Sequence, residues 1–240
     1  MFLSFYRGSA IDEITELAKI DVNREIRKGF PEVILAEGKS PSDVVQIGLK
    51  MVERNSRAII SRASPELFEE IEKSIKKDIK VEGYPRARMV ILRKAGFNVE
   101  PNNGNVGVLT AGTSDIPVAE ETKIMAEEMG CSVYTSYDAG VAGIHRLFPV
   151  LKDFLVKDLD VLVVISGREG ALPAVVSGLV DIPIIAVPTS IGYGYGGGGT
   201  SALMSMLQAC SMGIAVVNID GGVAAGCIAA LIAKRAHRKG

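Results

Sequence analysis

Beyond about residue 104 the hydrophobic positions fall into short continuous runs separated by longer amphipathic stretches. This is the pattern of strands buried on both faces and alternating with helices. The runs cover 106–111, 131–137, 161–166, 182–188 and 213–220, and helices are expected over 117–129, 143–157, 171–179, 201–210 and 222–236. Five apolar strands, each followed by a helix, imply a parallel sheet covered on both faces. That is a doubly wound α/β fold of the flavodoxin-like kind.

Ahead of it the periods are mixed. Ile11, Ile14, Leu17, Ala18 and Val22 recur at helical spacing and predict a helix. Residues 29–38 read as a strand bounded by glycines. Ser40-Pro41 then supplies an N-cap and an early helical proline for a helix reaching about residue 54. The plan repeats, with a strand over 57–62, a second Ser-Pro cap at Ser64-Pro65, a helix to about residue 77 and a strand over 87–93. The Lys73 to Lys77 charge run reads as a solvated helix face. Pro101-Asn-Asn-Gly104 is turn chemistry, and it sets the expected boundary between a small α/β domain, 1–103, and a larger one, 104–240.

Composition sharpens this division. The chain has 27 Lys+Arg against 28 Asp+Glu, a formal net charge of -1. Such a balance gives no basic footprint for nucleic acid or an anionic membrane. Residues 1–103 hold 18 of the bases and 16 of the acids but only 6 of the 26 glycines. The second part is therefore poor in charge and rich in glycine. Three cysteines at unpaired spacing suggest neither a disulfide framework nor a zinc knuckle, and a reducing cytoplasm is the expected compartment. The first seven residues place apolar side chains before the first Arg, the reverse of a secretion signal. The apolar tract over 213–233 is broken by Asn218, Asp220 and a Gly pair, so no membrane span is expected.

Ligands of doubly wound sheets bind beyond the carboxyl ends of the strands, where helix N-termini attract anions. Here those ends read Gly112-Thr113-Ser114-Asp115, Asp138-Ala-Gly140, Gly167-Arg168-Glu169-Gly170, Pro188-Thr189-Ser190 and Asn218-Ile-Asp220. Asp115, Asp138, Glu169 and Asp220 are a third of the larger domain's twelve acids, a concentration that suggests a polar site. Asp115 and Asp138 either cap their helices or face a ligand. Arg168 either clamps a phosphate or carboxylate or pairs on the surface. The glycine-rich stretch 192–200 is either a lid, a close-approach phosphate loop or a plain connector. Cys131 and Cys227 sit in apolar runs as small core residues, whereas Cys210 lies beside Ser211 and Gly213 in a loop, where a thiolate could meet a ligand. With only His145 and His237 in the chain, neither a Ser/His/Asp set nor a two-histidine metal site can be argued.

These strand-end motifs, with Asp138-Ala-Gly-Val-Ala-Gly-Ile-His-Arg146, Gly167-Arg-Glu-Gly-Ala-Leu-Pro173, Leu207-Gln-Ala-Cys210 and Gly29-Phe-Pro-Glu-Val-Ile-Leu-Ala-Glu-Gly-Lys39, resemble the LarB family. That family comprises the pyridinium-3,5-biscarboxylic acid mononucleotide synthases of nickel-pincer nucleotide biosynthesis, which serves lactate racemase. The larger domain is also similar to the purine-pathway aminoimidazole ribonucleotide carboxylases and mutases. Those carry a His before the Leu-Pro of the third loop, where this chain has Ala171, and a Met-Pro where it has Ala209-Cys210.

The resemblance implies a carboxylase/hydrolase acting on nicotinic acid adenine dinucleotide with CO2 or bicarbonate, giving AMP and a dicarboxylated pyridinium mononucleotide. It implies Cys210 as nucleophile and Glu169 as base. Substrate and phosphate contacts would come from Gly112, Thr113, Ser114, Asp115, Asp138, Gly140, Gly167, Arg168, Gly170, Thr189 and Ser190. Mg2+ is expected on Asp138 or Asp115, with no organic cofactor. A homo-oligomer is expected through the low-charge outer helices such as 222–236. The other readings are the purine-pathway enzyme and a non-catalytic nucleotide-binding module.

Overall fold

The computed structural model describes residues 11–14, 18–75 and 78–238, with backbone alone at 11–14 and 18. The chain divides into two compact units between Asn98 and Val99.

The first unit opens with a hairpin, β1 (Ile11–Ile14) against β2 (Ala18–Asp21), in antiparallel register with Ile11 opposite Asp21 and Ile14 opposite Ala18. The helix expected over this stretch is corrected. Ala18, Ile20 and Val22 also alternate with polar residues, and that period of two prevails, burying Ile20. Leu17 lies outside the described residues. After a short helix, α1 (Arg24–Lys28), come β3 (Val33–Leu35), α2 (Pro41–Asn55), β4 (Arg57–Ser61), α3 (Pro65–Ser74), β5 (Ile79–Tyr84) and β6 (Met89–Lys94). Both serines cap their helices as expected: Ser40 Oγ accepts from the Asp43 N–H at 3.2 Å and Ser64 Oγ from the Leu67 N–H at 3.3 Å. The sheet order is β3-β4-β6-β5, parallel between β3 and β4 and antiparallel elsewhere. Val44, Val52, Ile60, Leu67, Ile71, Val90 and Leu92 form its core. Strand β5 was not expected; its alternation of Ile79, Val81 and Gly83 with charged residues follows directly on the lysine run. Lys73 is exposed as expected and lies 3.8 Å from Glu69, while Lys76 and Lys77 lie outside the described residues.

The second unit contains β7 (Asn105–Thr110), α4 (Ile116–Glu127), β8 (Ser132–Ser136), α5 (Leu147–Val156), β9 (Val161–Ser166), α6 (Leu172–Ser177), β10 (Ile184–Pro188), α7 (Thr200–Leu207), β11 (Ile214–Val216) and α8 (Gly222–Ala236). All five strands are parallel, in the order β11-β10-β9-β7-β8. The chain reverses its direction of winding between β7 and β9, so this is the doubly wound sheet the pattern predicts. Every residue of β9 and β10 is buried, whereas β8 and β11 are half-exposed edges. Each buried Val or Ile of the central strands contributes about 1.5–3 kcal/mol.

Helix α8 buries a face of Gly222, Ala225, Gly226, Ala229, Ala230 and Ala233. The small residues let it lie close on α4, since a Cβ at Gly226 would come within 2.6 Å of the Thr122 carbonyl. The low charge of this helix thus serves packing within the unit on that side. Its outward face keeps Ile228, 41 % exposed. Among the described residues no helix is long and apolar enough to cross a membrane.

Candidate active site

At the switch point, β7 and β9 stay paired through Thr110 and Ile165, and the connections beyond them, which wind in opposite directions, form the rim where such sheets bind ligands. The chain leaves β7 through Gly112 and a 3-10 turn, Thr113–Asp115, that runs into α4. This turn folds the Asp115 carboxylate back beneath the rim, where the residue is buried. Oδ2 accepts the Gly112 N–H at 3.0 Å, and Oδ1 accepts the Thr189 hydroxyl at 2.7 Å. The Gly167 N–H also donates to this carboxylate. One side chain therefore ties together the ends of β7, β9 and β10. Burial pushes the Asp115 carboxyl above its ordinary range; the three donors oppose this, and the nearby Asp220 charge adds to it.

Close backbone approach explains the glycines. A Cβ at Gly167 would lie 2.5 Å from the Ile191 carbonyl and 2.6 Å from Thr189 Oγ1. Gly140 approaches the Ala111 carbonyl as tightly, and Gly170, at φ 65°, approaches that of Ala202. Three other rim residues, Asp138, Arg168 and Asp220, hold φ of 61°, 53° and 54°. A left-handed backbone is uncommon outside glycine and tends to gather at functional rims.

The side chains are arranged accordingly. The Arg168 guanidinium lies over the Tyr193 ring, 4.8 Å from its centroid, and lowers the pKa of that phenol. Asp138 accepts from Arg146 at 2.9 Å, and its own N–H donates to Thr110 Oγ1 at 3.1 Å. Asp220 Oδ1 accepts the Ser190 N–H at 2.8 Å. Glu169, Thr113, Ser114 and Ser190 are exposed on the same rim. The rim thus gathers Gly112, Thr113, Ser114, Asp115, Gly167, Arg168, Glu169, Gly170, Thr189 and Ser190, with Asp138 and Gly140 beside them after β8. Asp220, expected among the strand-end acids, is there too. Tyr193 was not expected, and the available signal was an aromatic ring inside a glycine run.

The glycine-rich stretch forms 3-10 turns over Gly194–Gly199. A Cβ at Gly199 would lie 2.9 Å from the Thr189 carbonyl, so part of the stretch is a close-approach loop. Cys131 is buried, and burial pushes its thiol up. Cys227 is half-buried.

Cys210 stands apart from these groups within one chain. Helix α7 begins at the carboxyl rim and carries the chain back across the sheet, so Cys210 stands at the amino rim, just before β11. The Gly213 carbonyl accepts from the N–H of Ile184, the first residue of β10, and Ser211 Oγ donates to the Ala174 carbonyl. The five residue steps from Ile184 to Thr189 place the rims about 16 Å apart. Within one chain Cys210 and Glu169 are therefore not together. Cys210 is exposed, in company with Met204, Leu207 and Met212, the last of them 91 % exposed.

The carboxylates considered for Mg2+ do not form a donor set. Both oxygens of Asp115 already accept hydrogen bonds, and Asp138 pairs with Arg146. Among the described residues no three His, Cys, Asp or Glu side chains converge as ligands.

Comparison with known proteins agrees with this architecture. Residues 105–239 match the AIR carboxylase family, and residues 12–94 match the LarB/PurE-like N-terminal domain. An uncharacterized protein of Methanocaldococcus jannaschii is 45 % identical over 229 residues, 95 % of this chain and 88 % of its own length. The fold and rim thus define an AIR carboxylase-type domain. Joined to that N-terminal domain, it makes the chain a member of the LarB family, with a carboxylase-family role.

Proposed function

We propose that the protein carboxylates the pyridinium ring of nicotinic acid adenine dinucleotide at C5 and hydrolyses its phosphoanhydride, releasing AMP. The observation that carries this reading over the purine-pathway reaction is the loop after β9. It presents Arg168 and Glu169, and has Ala171 where the purine enzymes carry a histidine. Of the two histidines, His237 pairs with Asp160 and His145 is exposed beyond β8.

The chemistry requires electrons in an electron-poor ring. A thiolate adding at C4 makes the ring a neutral dihydropyridine whose C5 is an enamine carbon. C5 then forms its bond to CO2, a base takes the C5 proton, and the C4–S bond breaks to restore aromaticity and the thiolate. Glu169 is the base, and Arg168 with the turn Thr113–Asp115 receives the phosphates. Water attacks the phosphoanhydride, and AMP leaves. Mg2+ would enter with the diphosphate rather than on a protein carboxylate.

Cys210 can supply the thiolate only from a neighbouring copy, because its own chain holds it on the opposite rim. We therefore assign the exposed face of Met204, Leu207 and Met212 to a homo-oligomer contact that brings Cys210 to a partner's crevice. Incubation with the dinucleotide and labelled bicarbonate should yield AMP and a labelled dicarboxylate. Folded protein that yields neither would refute the reading, and turnover of carboxyaminoimidazole ribonucleotide instead would favour the purine reaction.

A further inference from the structure

The first unit carries a cavity that the carboxylase reading does not use. Strands β3 and β4 run parallel side by side, and each leads through a short loop and a Ser-Pro cap into its helix. Between the two loops lies a cavity of about 200 Å3. Lys39 from the first loop, Arg62 from the second and Arg88 from the turn between β5 and β6 line it, with Val44 and Leu67 among its apolar residues. Glu37 is the one acid in the lining, against three cations.

The geometry concentrates this charge. Lys39 Nζ donates to the Leu35 carbonyl at 2.6 Å, and the Arg88 guanidinium donates to the carbonyls of Ala63 and Arg62, both at 3.4 Å. These acceptors are neutral, so they orient Lys39 and Arg88 without cancelling their charge. Arg62 and Arg88 hold φ of 58° and 50°, which turns the second loop and the β5–β6 connection about the cavity. The N-termini of α2 and α3 add positive potential on the same side. Three cations from three separate connections around one small cavity make an oxyanion receptor, and arginine's fork suits phosphate oxygens. The volume lies below the roughly 300–1,000 Å3 of sites that enclose drug-sized ligands. It admits a phosphoryl or diphosphoryl group rather than a whole dinucleotide.

We propose that this cavity binds the phosphate group of a small anion, either free phosphate or the phosphate of a nucleotide. The site stands whether or not the carboxylase reading does. Calorimetric titration of the full chain with inorganic phosphate, pyrophosphate and AMP at low salt tests it against Lys39→Gln, Arg62→Gln, Arg88→Gln and, as a control cation of the same unit outside the cavity, Lys73→Gln. At least two of the three cavity neutralisations should weaken one anion fivefold or more while Lys73→Gln weakens it less than twofold. The relative affinities for phosphate and AMP identify the source of the group. No saturable binding, a loss of less than fivefold in all folded cavity variants, or an equal loss in Lys73→Gln would overturn the proposal. Lys39→Gln keeps the test decisive if an arginine variant fails to fold, because Lys39 is exposed and lies outside helix and strand.

Discussion

The two units of this chain shape their polar concavities by different means. At the sheet rim of the second unit the main chain does the shaping: Gly140, Gly167 and Gly170 allow backbone segments within distances no side chain would permit, and one buried carboxylate ties three strand ends. In the first unit side chains do it. Its cavity is ringed by Lys39, Arg62 and Arg88, and its elements are joined by pairs such as Arg57 with Glu25 and Arg24 with Asp21. A rim built from backbone is rigid and intolerant of substitution, whereas one built from long side chains is adjustable and sensitive to salt.

The largest effect expected from breaking this contrast concerns Cys210. Cys210→Ala should lower carboxylation about a thousandfold or more, as loss of a covalent nucleophile does. Asp115→Asn should also disable the rim. Mixed oligomers of the two inactive variants should regain activity, about a quarter of the parent level if subunits mix at random, because some sites then pair an intact rim with an intact cysteine. No recovery after verified subunit mixing would place both groups in one chain's site and contradict the fold described above.

Next in size are the glycines. Gly167→Ala forces a Cβ against the Ile191 carbonyl and Thr189 Oγ1, and should cost about 2–4 kcal/mol together with most of the activity. Gly38→Ala, beside the cationic cavity, meets nothing within 4 Å and pays only for its φ of 79°, about 1–2 kcal/mol. Thermal or urea unfolding of the two variants reads the difference. Equal costs would mean that the rim yields as easily as the loop.

Much of the second unit was legible because its strands are continuous apolar runs and its site lies where parallel sheets place ligands. The Ser-Pro caps of the first unit were legible for the same reason, a local signal with one physical meaning. What was not legible depended on competing periods or on topology. The residues from Ile11 to Val22 satisfy a helical spacing and contain a strand-like alternation, and only tertiary burial of Ile20 decides between them. The separation of Cys210 from Glu169 within one chain has a topological reason: residues just before a parallel strand lie at the opposite end from residues just after one. The tie from Asp115 to Thr189 spans 74 positions, and no local pattern announces it.

The smallest expected effect tests whether the first unit's charges matter to its stability. Burial alone would raise the Glu82 carboxyl, but hydrogen bonds from Lys80, Arg93 and Tyr84 outweigh it and lower its pKa to about 2. Its folded value is thus below the unfolded one, so its contribution is present above about pH 4.5 and is lost as the pH falls toward 2. Glu82 is 25 % exposed and Lys80 71 %, so solvent screening reduces the contribution to about 1 kcal/mol. Glu82→Gln should therefore lower the urea stability of the first unit by about this much at pH 7 and by only about a quarter of it near pH 2.5. A gap that stays constant with pH would assign the cost to packing of β5 rather than to charge, and the contrast between the two units would then rest on the cationic cavity alone.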